Sequence, residues 1–146
     1  DREGVLLGNP QGRRRAGGRD GHADVDVGLG NAGSATLVDA RTPASYRGDE
    51  KAPESRRAGH IPGALSRDCT LTFDQEKGRM KSAKELEALF AEVPATRPVV
   101  SYCNTGHTAA LNWFVLSAVM GRPDVTLYDG SMTDWTQDDT HPVATE

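Results

Sequence analysis

The chain has 146 residues, a formal net charge of −4 and 36% hydrophobic residues. That length supports one domain with a real core, and the mild acidity advertises neither a nucleic-acid surface nor one for anionic membranes. No apolar run approaches the roughly 20 residues of a membrane helix.

Residues 1–34 are rich in Gly, carry the Arg13–Arg15 run and show no sustained apolar period. Such a stretch buries too little surface to offset its ordering entropy. It reads as a flexible arm or linker before a domain over 35–146. Arg13, Arg14 and Arg15 read as a solvated run rather than a phosphate patch, and the alternation in "DVDVGLG" leaves an edge strand open. No basic-then-apolar leader follows Asp1, so no targeting segment is visible and a cytoplasmic location is expected. The missing Met points to a processed or partial chain.

From Ala35 the pattern becomes regular. "ATLVDA" fits a buried strand, and "TPASYRG" offers a helical turn opening at Pro43. A polar excursion then ends in the Gly-flanked "GHIPGA". The capping box Ser82-Ala83-Lys84-Glu85 precedes Leu86, Leu89, Phe90 and Val93, predicting an amphipathic helix over 82–93 closed by Pro94. "RPVVSY" is the next strand. Leu111, Phe114, Val115 and Ala118 predict the apolar face of a second helix, ended by Gly121 and Pro123. "DVTLYDG" is a further strand, and Ser131 opens a short helix with Asp134 completing a Ser-x-x-Asp cap. Strands alternating with helices imply an α/β domain, its parallel sheet covered on both faces.

Two cysteines, Cys69 and Cys103, make neither a disulfide framework nor a metal pattern, and they read as separate thiols. Cys103 follows the strand ending at Tyr102, in the polar loop "CNTGHT" ahead of a helix beginning near Ala109. In parallel α/β sheets, ligands gather beyond the carboxyl ends of the strands. A helix N-terminus there favours an anion, a thiolate included. Gly106 permits backbone angles that turn successive amides inward as an anion nest. Thr108 is either a hydroxyl donor to the sulfur or the N-cap of the next helix. His107 is a proton donor or merely solvent-facing, and Asn104 is a ligand or a turn residue. The loop lacks the closing arginine of a cysteine phosphatase, which argues against phosphoryl chemistry.

Four stretches, "LVDARTPASYRG" (37–48), "AGHIPGAL" (58–65), "CNTGHT" and "LYDGSMTDW" (127–135), together resemble a rhodanese domain over about residues 35–143. The resemblance is closest to the catalytic C-terminal domain of tandem-domain sulfurtransferases. It implies a rhodanese-like parallel five-stranded sheet flanked by helices on both faces. It also implies transfer of sulfane sulfur, typically from thiosulfate, through a Cys103 persulfide to a thiol or cyanide acceptor, in two half-reactions. The amides of Asn104, Thr105, Gly106, His107 and Thr108 would hold the persulfide. Asp39 and Arg41 fit a strand-end pair that serves as scaffold or touches substrate. His60 would bridge backbone groups, Asp129, Gly130 and Ser131 would form a turn lining the site, Trp113 and Trp135 would pack, and Cys69 would be a bystander. No cofactor and no metal are implied.

The sequence departs from the family pattern in two respects. Asn104 and Thr105 stand where thiosulfate-type loops often carry basic residues. Ser45 stands where mammalian-type enzymes place an arginine, with Arg47 a candidate substitute. The loop is not of the mercaptopyruvate type either. Residues 1–34 are too short for the N-terminal half of a tandem protein, which leaves a missing N-terminal rhodanese domain or an acceptor protein as candidate partners. The alternative is a non-turnover sulfur carrier or interaction module on the same fold.

Overall fold

A computed structural model describes residues 35–146; the arm over 1–34, its arginine run and the "DVDVGLG" edge strand lie outside them. The described chain runs β1 (Thr36–Asp39), α1 (Pro43–Arg47), β2 (Leu65–Ser66), a 3-10 turn (Cys69–Thr72), β3 (Phe73–Asp74), β4 (Arg79–Met80) and α2 (Ala83–Leu89). It continues with β5 (Val99–Tyr102), α3 (Ala109–Phe114), a π-helical turn (Val115–Val119), β6 (Val125–Leu127) and α4 (Ser131–Trp135).

Four parallel strands form the main sheet in the order β2-β1-β5-β6, while β3 and β4 make a separate hairpin. The sheet therefore has four strands among the described residues where five were expected. Alternation along the central strands divides the core into two layers. Val38, Ala40, Val99 and Cys103 join Leu86, Phe90, Ala109, Trp113 and Leu116 on the α2/α3 face. Leu37, Val100 and Tyr102 join Ile61, Tyr128, Met132 and Trp135 on the other, with Tyr46 of α1 packed against them. Helices cover both faces. The order puts β1 and β5 in the middle, so residues just past their carboxyl ends are the best walled in.

Local signals account for several elements. Thr42 caps α1 through Ser45 N–H at 3.3 Å, with Pro43 at the first helical position. The α2 capping box forms in full, Ser82 N–H donating to Glu85 Oε2 at 2.8 Å and Glu85 N–H to Ser82 Oγ at 3.3 Å. The helix is nevertheless shorter than its apolar period. Phe90 leaves helical geometry, and Val93 N–H bonds the Phe90 carbonyl at 3.0 Å in a turn that still buries Val93. Pro94 disfavours helical angles at the residue before it, which favours this early exit.

The second helix is rotated relative to its periodic pattern. Phe114 is 45% exposed and Ala118 is exposed, whereas Asn112, Trp113, Val115 and Leu116 are buried. Asn112 tolerates the interior because its Nδ2 donates to the Arg67 carbonyl at 2.8 Å, and Trp113 Nε1 donates to the Val125 carbonyl at 3.1 Å. A π turn, closed by Met120 N–H on the Val115 carbonyl at 2.8 Å, then shifts the helix face. Gly121, at φ 73°, ends it. The Ser131–Asp134 cap does not form: Asp134 instead accepts from the Tyr128 hydroxyl at 2.8 Å.

Candidate active site

Cys103 leaves β5 at the carboxyl end of the sheet and is 2% exposed. Gly106 turns the loop back on itself at φ +90°, and its N–H donates to Cys103 Sγ at 3.0 Å. Among the five loop residues 104–108, this is the amide that meets the sulfur. A Cβ on Gly106 would lie 2.5 Å from the Asp129 carbonyl oxygen and 2.8 Å from the Asp129 Cα. Glycine is required here both by the backbone angle and by the wall behind it.

That wall is the segment joining β6 to α4. Ser131 Oγ accepts from Cys103 N–H at 2.9 Å, donates to the Tyr128 carbonyl at 2.7 Å and lies 3.9 Å from Cys103 Sγ. Ser131 sits at φ 51°, the one positive φ outside glycine among the described residues. Such a conformation persists when its surroundings over-determine it, and three contacts to one hydroxyl do so. The first amides of α4 fasten the loop further: Met132 N–H bonds the Cys103 carbonyl and Thr133 N–H the Asn104 carbonyl, both at 3.0 Å.

On the opposite side stands a buried ion pair. Arg41 Nη2 contacts Asp39 Oδ2 at 2.7 Å with both side chains enclosed, and the same nitrogen reaches the Gly59 carbonyl at 2.7 Å. Burial opposes the Arg41 charge, but the Asp39 carboxylate more than offsets it and raises the pKa. Arg41 Nη1 extends to Asn104 Oδ1 at 3.4 Å, which ties the pair to the loop. Beside it Tyr102 hydroxyl accepts from Ile61 N–H at 3.1 Å; burial holds this phenol well above its ordinary value, hence neutral.

The structure thus brings together Cys103, Asn104, Gly106, Asp39 and Arg41, and adds Ser131 as a direct contact of the nucleophile. Thr105 and His107 are exposed on the loop rim. Thr108 is exposed and makes no side-chain cap. Arg47 is not recruited: it pairs in solvent with Asp49 at 2.9 Å and makes no bond to the loop. A short exposed ion pair satisfies it locally, so nothing draws it inward. His60 stacks on Tyr46 with centroids 3.7 Å apart, and its Nδ1 is bound to the Tyr46 carbonyl at 2.7 Å. The ring thereby holds one backbone carbonyl rather than bridging two backbone groups. Trp135 is fully buried, with Nε1 on the Pro142 carbonyl at 2.9 Å. No group of three metal-ligating side chains occurs among the described residues, and none of their helices is long and apolar enough to cross a membrane.

Ser131 was legible only as part of a turn. The signal that singles it out is position, since it follows β6 at the same carboxyl edge that carries Cys103.

A family model described as a rhodanese-like domain matches residues 23–138. A thiosulfate sulfurtransferase of Corynebacterium glutamicum is 39% identical over 119 residues, covering 77% of this chain and 39% of that protein. A sulfur carrier protein, TtuD, of Thermus thermophilus is 39% identical over 111 residues, covering 70% and 39%. The chain therefore spans about two fifths of the length of these relatives. Among solved structures, the Tum1 protein of Saccharomyces cerevisiae superimposes with a TM-score of 0.69 at 25% identity, covering 85% of this chain and 45% of that one.

Proposed function

The chain belongs to the rhodanese-like family, and from that premise we propose that it moves sulfane sulfur from a thiosulfate-class donor to a thiol or cyanide through a Cys103 persulfide. The Cys103 thiolate attacks the outer sulfur of the donor. The donor S–S bond breaks, and sulfite leaves with its electron pair. The acceptor then attacks the outer sulfur of the persulfide and returns Cys103 as a thiolate. No net redox change occurs in the protein.

The observation that carries this reading is the Gly106 N–H on Cys103 Sγ at 3.0 Å. A donor fixed on the sulfur stabilises negative charge there without reorganisation, as in an oxyanion hole. Ser131 and Arg41 keep the loop in register, through the Cys103 amide and through Asn104 respectively. The sulfurtransferase name of a relative at 39% identity supports the same chemistry.

A second reading is favoured by a specific feature. The nucleophile is almost fully enclosed, and the loop positions after it are the neutral Asn104 and Thr105. A doubly charged small donor gains little there, whereas a protein partner could hand over or collect sulfur, consistent with the sulfur-carrier relative. Intact mass after incubation with thiosulfate tests the main proposal. A gain of one sulfur atom, removed by cyanide and absent in Cys103→Ser, is expected. A chain that takes up no sulfur, or takes it up equally in Cys103→Ser, refutes it.

A further inference from the structure

Cys69 is the other free cysteine, and it is not remote. Its N–H donates to the Ala40 carbonyl at 3.0 Å, and Ala40 N–H donates to the Tyr102 carbonyl at 2.9 Å. Cys69, which opens the 3-10 turn after β2, thus flanks Ala40, and Ala40 stands beside Cys103 just past the ends of β1 and β5. All three belong to the same apolar layer, so their side chains share one face of the sheet. The residue between the two cysteines is Ala40, whose side chain is a single methyl group.

The spacing discriminates between chemistries. Two strand separations put the cysteine Cα atoms about 9.5 Å apart. A disulfide tolerates at most about 7 Å, so direct bonding is excluded without backbone movement. One interposed sulfur lengthens the reach by a second S–S bond of about 2 Å. The stretched, in-line arrangement of sulfur exchange then fits the gap.

The polar group at this corner comes from α3, which follows directly on Thr108, the last loop residue. Asn112, one turn further along α3, is fully buried and anchored by Nδ2 on the Arg67 carbonyl, two residues before Cys69. Its Oδ1 has no partner among the described residues, an acceptor fit for a thiol or persulfide proton. Burial, with Asp68 and Cys103 nearby, pushes the Cys69 thiol up. A higher-pKa thiol is the poorer leaving group, so sulfur once on Cys69 is released slowly.

We propose that Cys69 is an internal sulfur acceptor, taking the outer sulfur of the Cys103 persulfide. This rests on the persulfide reading above. The Cys69 sulfur bonds to the outer sulfur, and the S–S bond to Cys103 breaks. Cys103 departs with the electron pair and takes the proton that Cys69 gives up. One persulfide and one thiol become one thiol and one persulfide, so no oxidant or reductant is needed. The sulfur thereby moves from the loop to a site it can occupy between donor and acceptor.

The test uses the unmodified chain, loaded with thiosulfate labelled in its sulfane sulfur and then freed of donor. Persulfides are trapped by alkylation at successive times, and the label is located by peptide mass spectrometry. Label is expected first on Cys103 and later on Cys69, with the sum conserved and the transfer rate unchanged by tenfold dilution of the protein. Cys103→Ser should carry none on Cys69. Label that stays on Cys103 alone, a rate that falls tenfold with dilution, or labelling of Cys69 in Cys103→Ser overturns the inference while leaving Cys103 chemistry to stand on the unmodified chain. Absence of label from both cysteines overturns the persulfide reading itself, and this inference with it.

Discussion

Replacing Gly106 by alanine sets one backbone position against the whole cradle. The new Cβ would meet the Asp129 carbonyl oxygen at 2.5 Å and the Asp129 Cα at 2.8 Å. Both are backbone atoms, so no side chain can swing aside. The φ of +90° adds strain of about 1–2 kcal/mol for any residue with a Cβ. Separating the loop from the Asp129 turn by several tenths of an ångström also disturbs the Gly106 N–H bond to Cys103 Sγ, a contact worth about 0.5–1.5 kcal/mol. The two together amount to about 2–3 kcal/mol of folding stability, since the contacts overlap. Loss of one donor to a reacting anion lowers rate by about 100-fold or more. Gly78→Ala is the control, because φ there is also positive, +60°, but nothing lies within 4 Å of the added Cβ. It should cost stability alone, about 1 kcal/mol. Urea unfolding and the rate of sulfur uptake by intact mass, measured on both variants, decide the matter. If Gly106→Ala takes up sulfur as fast as Gly78→Ala, the amide on the sulfur has no catalytic meaning.

Ser131→Ala should lower the rate of sulfur uptake about tenfold and stability by about 1–3 kcal/mol, because Cys103 N–H is left buried without its acceptor; unchanged uptake would reduce Ser131 to a turn residue. Asp39→Asn leaves Arg41 charged and enclosed, so the urea midpoint should fall by the equivalent of about 3–5 kcal/mol. A change below 1 kcal/mol would mean that the guanidinium has found water. Tyr102 has a folded-state pKa raised well above 10.0, with burial as the leading cause. The protonated phenol is therefore favoured by folding; its contribution is complete below the ordinary value and is lost as pH rises toward the folded one. Stability should begin to decline as pH rises past about 10 and go on falling toward the raised value, and Tyr102→Phe should decline less steeply. Parallel pH profiles for the two proteins would refute that assignment.

Features governed by near neighbours in sequence were legible. The helical turn at Pro43, the Ser82 capping box, the three long strands, the loop glycine and the position of Cys103 all follow from residues within a few places of one another. What periodicity could not show is set by distant partners. Asn112 is buried because of a carbonyl 45 residues away, and that single bond turns the α3 face. Ser131 reaches the nucleophile across 28 residues, so local pattern offered only a helix cap that its backbone angle then forbids. Arg47 was attractive by its place beside Tyr46, yet an acid two residues away already holds it. Cys69 read as a bystander because 34 positions separate it from Cys103, whereas in the fold its N–H bonds Ala40, which stands beside Cys103.

The bonds from Ser131, Met132 and Thr133 back to the cysteine loop also impose an order on events when the chain is made. Cys103 leaves the ribosome at least 28 residues ahead of the hydroxyl that receives its amide. Until β6 has joined the edge of the sheet and α4 follows it, the loop lacks the three bonds from Ser131, Met132 and Thr133 and the wall that Asp129 sets behind Gly106. A nascent or truncated chain ending before β6 would therefore present its nucleophile to oxidants and stray electrophiles, and a slow final strand addition would be recorded as chemical damage at one residue.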